Sequence, residues 1–286
     1  MKPALAVLLA VPALSFAQAA DPQPDELLQI AFPKWADEEG GRVQPIATSS
    51  VTRGWNTKQG KKRNVIVVPR QVVRVAPDRL VLLATMMPAG DGGDPQVAHG
   101  TPAGLAAYIF KPGKDGWKVA KRQEPFALQG FEGRAQMAPV ALSGRSQALQ
   151  VTWGSCWQGH CVDVFALYAI GVDGVKAQPL VLQKIKGNNV YSRPDCVERL
   201  DGIVQGLQPA DPVYAGDQVP PGQCYAIEGR WDTAGAGALT LRFTGAMSKA
   251  GKEGNAPAQR IDQAMKFEFR GGRYVPVSGS NPIPDA

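Results

Sequence analysis

Residues 147–176 read QALQVTWGSCWQGHCVDVFALYAIGVDGVK, and the way apolar side chains alternate within them decides the fold. Ala148, Leu149, Val151 and Trp153 form a short apolar run. Cys156-Trp157-Gln158-Gly159-His160-Cys161 makes a compact connection, and Val162, Val164, Phe165, Leu167, Tyr168 and Ile170 carry the return. β-Branched and aromatic residues in runs of this length, bounded by glycine, favour paired strands over a helix. Asp173-Gly174 then tolerates the positive φ of a type I′ turn, and Val175 to Leu180 is expected to form the next strand. The unit is a β-meander.

The same pattern occurs upstream. Val65–Val68, Val72–Val75, Leu80–Leu83 and Leu105–Phe110 are apolar runs, and Asp115-Gly116 turns the chain into Trp117-Lys118-Val119. Pro139–Leu142 corresponds to Val72–Val75, Ser143-Gly144-Arg145 to the turn Pro77-Asp78-Arg79, and Tyr168 with Asp173-Gly174 to Tyr108 with Asp115-Gly116. A weaker third copy runs through Cys224–Ile227, Ala238–Phe243, Met265–Phe269 and, after Gly271-Gly272, Tyr274–Val277. The expected class is all-β, built from four-stranded antiparallel meanders over about residues 64–123, 136–183 and 224–278. Repeats of four strands over ~40–60 residues characterise propeller blades. Three units are fewer than the roughly 4–8 of closed propellers, so an open array is equally open, with a β-sandwich or barrel as the alternative.

Two short helices interrupt this pattern. Asp25 to Trp35 places acids in a first turn, Leu27, Leu28 and Ile30 as its apolar residues, and Pro33 at its end. Around 194–206, Ser192-Arg193-Pro194-Asp195 supplies a cap with proline just inside, and Val197, Leu200, Val204 and Leu207 follow at helical spacing. Residues 36–63 are non-periodic and read as irregular, while 244–260 and 278–286 are rich in Gly, Ala, Ser and Pro and read as loop and tail.

Residues 1–19 have the form of a secretory signal peptide: Lys2, an apolar run from Ala4 to Phe16, and Ala17-Gln18-Ala19 before the cut. Residues 20–286 are expected to form a single β-rich domain, periplasmic or secreted, without a membrane span. The formal charge of +6 is spread over an ordinary charged fraction, which with export argues against nucleic acid. Lys58, Lys61, Lys62 and Arg63 form a local basic run, read as a solvated loop. All four cysteines follow the leader, so two disulfides are expected, Cys156–Cys161 and Cys196–Cys224.

Gln150, Gly154, Ser155, Cys156 and Trp157 resemble the active-site segment of papain-like cysteine proteases, which implies Cys156 as nucleophile with Gln150 helping to hold an oxyanion. The resemblance covers eight residues and is set aside. No histidine follows His160, and Cys161 stands ready to oxidise Cys156. A metal site from Cys156, His160 and Cys161 lacks a fourth ligand and suitable spacing. Gly54–Lys61 and Gly245–Lys252 depart from the phosphate-loop pattern. Neither a Gly-x-Ser-x-Gly elbow nor a Ser-x-x-Lys motif supports serine chemistry. Asp163 and Glu268 lie within strands, where solvent-facing alternation accounts for both. No cofactor or metal ligand set is therefore assigned; carboxylate-pair catalysis stays open, because sequence gives no distances between acids, and binding is favoured over it.

What remains is recognition. His99 precedes Tyr108 by nine residues and His160 precedes Tyr168 by eight, so both histidines enter the third strand of their repeat from equivalent loops. Trp157, His160 and His99 are the candidate partner-binding residues. The expected function is an exported binding protein whose partner is a protein or glycan of the cell envelope. The alternatives are a carboxylate-using envelope-polymer hydrolase and a structural accessory protein.

Overall fold

The computed structural model describes residues 21–33, 42–47, 55, 62–142, 147–191, 195–207, 223–233, 237–248 and 257–285. The leader expected over residues 1–19, Lys58, Lys61, the turn expected at Ser143–Arg145 and the cap expected at Ser192–Pro194 lie outside them. The described chain is mostly antiparallel β, with two short helices.

Helix α1 (Pro24–Ala31) begins with proline, where a missing N–H costs nothing, and Glu26 accepts a hydrogen bond from the Gln23 N–H at 2.9 Å. It stops one turn earlier than the sequence suggests, ahead of Pro33. Leu27, Leu28 and Ala31 face the sheet, whereas Ile30 is exposed.

Five strands form the first sheet in the order β1 (Arg42–Ala47), β2 (Lys62–Ala76), β3 (Arg79–Pro88), β4 (Ala103–Gly113) and β5 (Gly116–Gln129). Part of the segment expected to be irregular is thus a strand. β1 pairs with β2 from Arg42↔Val67 to Ala47↔Lys62, buries Ile46, and tolerates Pro45 because it is an edge. The two apolar runs of residues 65–75 form one strand with a register shift between Pro69 and Gln71. β3 and β4 read as nearly unbroken apolar runs because both faces are covered. Leu80, Leu82, Ala84, Met86, Tyr108 and Phe110 pack with α1 and Trp55, while Val81, Leu83, Leu105, Ala107 and Ile109 face the second sheet.

The second sheet takes in the other two meanders. β6 (Gln136–Ala141), β7 (Gln147–Trp157), β8 (His160–Gly171) and β10 (Val181–Asn188) continue directly into β11 (Cys224–Asp232), β12 (Ala238–Ser248), β13 (Gln259–Arg270) and β14 (Arg273–Ser278). β10 joins the copies, since Lys186 is opposite Asp163 on one side and Glu228 on the other. The second and third meanders therefore share one sheet instead of standing as separate blades.

The strand expected over Val175–Leu180 is cut to β9 (Gly174–Val175). The Gln123 side chain donates to the Val175 carbonyl at 2.8 Å and accepts from its N–H at 2.9 Å, so an amide from the first sheet takes the place of a neighbouring strand. Val175 is thereby buried between the sheets.

Leu149, Val151, Ala166 and Tyr168 on one face of β7 and β8 meet the first sheet. Phe165 and Leu167 on the other face join Ile227, Leu241, Phe243 and Phe267, so the second sheet curls around a core of its own. The Tyr274 N–H reaches the Leu180 carbonyl at 2.7 Å, bringing β14 back to the entrance of β10. Residues 279–285 do not form a loose tail: Ile283 is buried and the Asn281 side chain donates to the Lys184 carbonyl at 2.9 Å. Part of the loop expected over 244–260 is likewise strand, since β12 runs to Ser248 and β13 begins at Gln259.

Helix α2 (Asp195–Asp201) is shorter than the expected three turns and gives way at Gly202. It packs Cys196 and Leu200 against Cys224, Ala226 and Ala246. The Cys196–Cys224 disulfide ties α2 to β11 across 28 residues, a closure that stabilises by about 3–4 kcal/mol on chain-entropy grounds. Cys156–Cys161 is also formed, and no cysteine is free. Two disulfides fit an oxidising compartment. Among the described residues, no helix is long and apolar enough to cross a membrane.

Candidate functional site

The β7–β8 hairpin closes more tightly than its sequence suggests. The strands run to Trp157 and His160, leaving Gln158 and Gly159 as the turn at φ 48° and 79°, the two positive values of a type I′ connection. Cys156 and Cys161 lie directly opposite, with Cα atoms 4.0 Å apart, and their disulfide cross-links the tip. β6 covers β7 only as far as Gln136↔Thr152, so β7 from Trp153 onward has an open edge. Along that strand Leu149, Val151, Trp153, Ser155 and Trp157 share the face toward the first sheet.

The β3–β4 connection approaches from that sheet. Ala98 and Thr101 exchange backbone and side-chain hydrogen bonds at 2.9 Å, which fixes the turn carrying His99. A second tight turn, Phe131–Arg134, clamps the first. The Glu132 N–H donates to the His99 carbonyl at 3.2 Å and the Gly133 N–H to the Thr101 carbonyl at 2.8 Å. Glu132 sits at φ 51°, a conformation uncommon for a side-chain-bearing residue and often found at functional sites.

The three segments converge on the His99 ring. Its Nδ1 lies 3.3 Å from a Glu132 carboxylate oxygen and its Nε2 2.9 Å from Ser155 Oγ. Trp157 packs on the ring at 4.9 Å between centroids, and Phe131 lies on it at 5.9 Å. A carboxylate only accepts, so the Glu132 contact assigns the ring proton to Nδ1 and leaves Nε2 to accept from the Ser155 hydroxyl.

Beside this cluster opens a cleft of about 940 Å³, walled by Arg70, Phe131, Arg134, Met137, Trp153 and Ile185 among others. Gly154, on the open edge of β7, and Asp163 also line it. A Cβ at residue 154 would fall on the Asp163 carboxylate, so glycine here makes room for that acid. Burial holds the Asp163 carboxyl above its ordinary range; the Lys186 ammonium opposes this and the Glu228 charge adds to it. Lys186 bonds Glu228 at 3.0 Å, and this partner raises its own pKa. Glu268, by contrast, is exposed and pairs with Arg270.

The raised Asp163 pKa has a definite sign. The folded state holds this proton more tightly than the unfolded chain, so Asp163 lowers stability as pH rises from the ordinary carboxylate value through its raised one. Asp163→Asn is therefore expected to melt at a higher temperature than the native chain at pH 7. The difference should vanish under acid conditions where both side chains are neutral. A variant less stable than the native protein at pH 7 would contradict this sign.

The structure packs Trp157, from the second repeat, against His99, from the first. Trp157 is 61% exposed. His160 lies opposite Trp157, but its Nδ1 is buried without a hydrogen-bond partner among the described residues, so it is a less accessible member of the set. Cys156 is oxidised and carries no thiolate. Ser155, Glu132 and Phe131 also meet His99 here, and no motif in the sequence marks them as its neighbours. Glu132-Gly133 between two strands was the available signal for a tight turn, but nothing in it points toward His99. The chain finds no match among protein-family models, curated proteins or solved structures.

Proposed function

We propose that this chain is an exported binding protein of the cell envelope, and that a protein or glycan partner is held at the edge formed by Trp157 and His99 with His160 beside them. The observation that carries this reading is that Trp157 is at once exposed and fixed: it projects into solvent at the hairpin tip while packed on His99 at 4.9 Å. A large aromatic left in water is costly unless something covers it. One that is already ordered loses little entropy when a partner arrives, and such residues dominate binding energies. The disulfide across the tip supports the same conclusion, because it holds the loop in place before binding. A leader over residues 1–19 would deliver the chain to the periplasm or beyond, where both disulfides persist.

The test is affinity capture from an envelope extract, using the chain after leader removal as bait beside a Trp157→Ala/His160→Ala double variant. The native bait is expected to retain a partner that the variant largely loses, with the same melting temperature. Intact capture accompanied by a large fall in melting temperature would show that these side chains serve packing alone.

A further inference from the structure

We infer that Ser155, His99 and Glu132 form a nucleophile relay able to cleave carboxylic esters, a chemical activity distinct from partner capture. The arrangement has the connectivity that hydroxyl activation requires. Ser155 Oγ lies 2.9 Å from His99 Nε2, and the opposite ring nitrogen lies 3.3 Å from the Glu132 carboxylate. Such relays are recognised by geometry and role, whatever the chain order. The orienting acid is held twice over, since the Glu132 backbone N–H binds the His99 carbonyl while its side chain meets the ring.

The backbone around Ser155 fits as well. In an antiparallel ladder closed by a two-residue turn, Ser155 bonds to Val162, whereas Gly154 and Cys156 direct their N–H groups to the open edge. The Cys156 N–H, adjacent to the hydroxyl, thus points to the open edge, where it can meet a developing oxyanion. The neighbouring cleft of about 940 Å³ gives an ester room beside the hydroxyl.

In the acylation step, Ser155 Oγ forms a bond to the ester carbonyl carbon while its proton passes to His99 Nε2. The carbon–oxygen bond to the leaving alcohol then breaks, and the alcohol takes that proton. Water reverses the sequence: it gives a proton to Nε2, its oxygen bonds the acyl carbon, and Ser155 leaves and recovers its proton. The products are an acid and an alcohol, with no change of oxidation state. Ser155 and His99 are the catalytic residues, and Glu132 positions the imidazole.

Labelling with a fluorophosphonate, read by intact mass and peptide mapping, tests this without any partner, so its failure would leave the capture reading standing. The folded native chain is expected to gain one adduct, on Ser155, and to hydrolyse p-nitrophenyl acetate. Ser155→Ala should abolish both. His99→Ala should slow both by at least about 100-fold, with partial rescue by added imidazole. Glu132→Gln should lower kcat at unchanged KM, a split that general loosening of the fold would not produce. Melting curves establish that each variant is folded. No adduct on the native chain, an adduct on another residue, or a folded Ser155→Ala that reacts as fast as the native protein would overturn the proposal.

Discussion

Replacing Gly245 by alanine is expected to destabilise the protein by about 3–5 kcal/mol, enough to remove much of a typical domain's stability. Gly245 lies within β12 opposite Ile227, at φ 143°, which L side chains rarely adopt. A Cβ there would fall on the Ala226 carbonyl oxygen and the Ile227 Cα, and neither is a flexible side-chain end that could move aside. The backbone strain and the collision therefore add. Gly171→Ala is the internal control: no atom lies within 4 Å of its added Cβ and its φ is not in the restricted region. That change should stay within about 1 kcal/mol of the native protein. Denaturant titrations of both variants measure the difference. A Gly245→Ala protein as stable as Gly171→Ala would mean that β12 does not hold this backbone conformation at residue 245.

The second large effect is expected at Phe165. Its ring is fully buried, stacks with Trp231 at 6.0 Å between centroids, and belongs to the core enclosed by the curled sheet. Its neighbour Ala166 points the other way, into the core shared with the first sheet. β8 is thus common to both cores. Phe165→Ala should cost about 3–5 kcal/mol, because a ring-sized void forms where rigid strands prevent collapse. The loss should appear as one shifted transition at all probes, since neither core can keep its packing without β8. Two separated transitions, with only one displaced, would instead show that the sheets unfold independently and that the chain is more than one domain.

The strands were legible in the sequence because β-branched and aromatic runs separated by Asp-Gly, Pro-Asp and Gly-Gly carry their own periodicity. Tyr108 and Tyr168 occupy third strands of their meanders, as their spacing from the turns suggested, and both are fully buried. Val175–Leu180 looked equally strand-like, but Val175 is taken by Gln123 of the other sheet, a contact 52 residues away that no local pattern reports. β1 was missed because its alternation covers only six residues and includes Pro45. How the meanders combine was also hidden, since the choice between separate blades and a shared sheet depends on Lys186 pairing on both sides.

The site was partly legible for the same reason. The repeat put the His99 and His160 loops in equivalent positions, and Trp157 shares the second of those loops. Ser155 and Glu132 stand 56 and 33 residues from His99, and only the packed sheets bring the three together. Gly154 beside Asp163 follows from the hairpin register once Gln158-Gly159 is taken as the turn, but assigning the whole Cys156–Cys161 segment to the connection concealed it.

The most direct test of the proposed working edge is calorimetric titration of the captured partner into the native protein, Trp157→Ala and Val172→Ala. Val172 is also an exposed apolar side chain, but it lies in the turn at the far end of β8. Trp157→Ala is expected to weaken binding by about 10- to 100-fold, as loss of an aromatic anchor does, while Val172→Ala binds like the native protein and all three melt together. Equal affinities for the native and Trp157→Ala proteins would contradict the assignment of this edge.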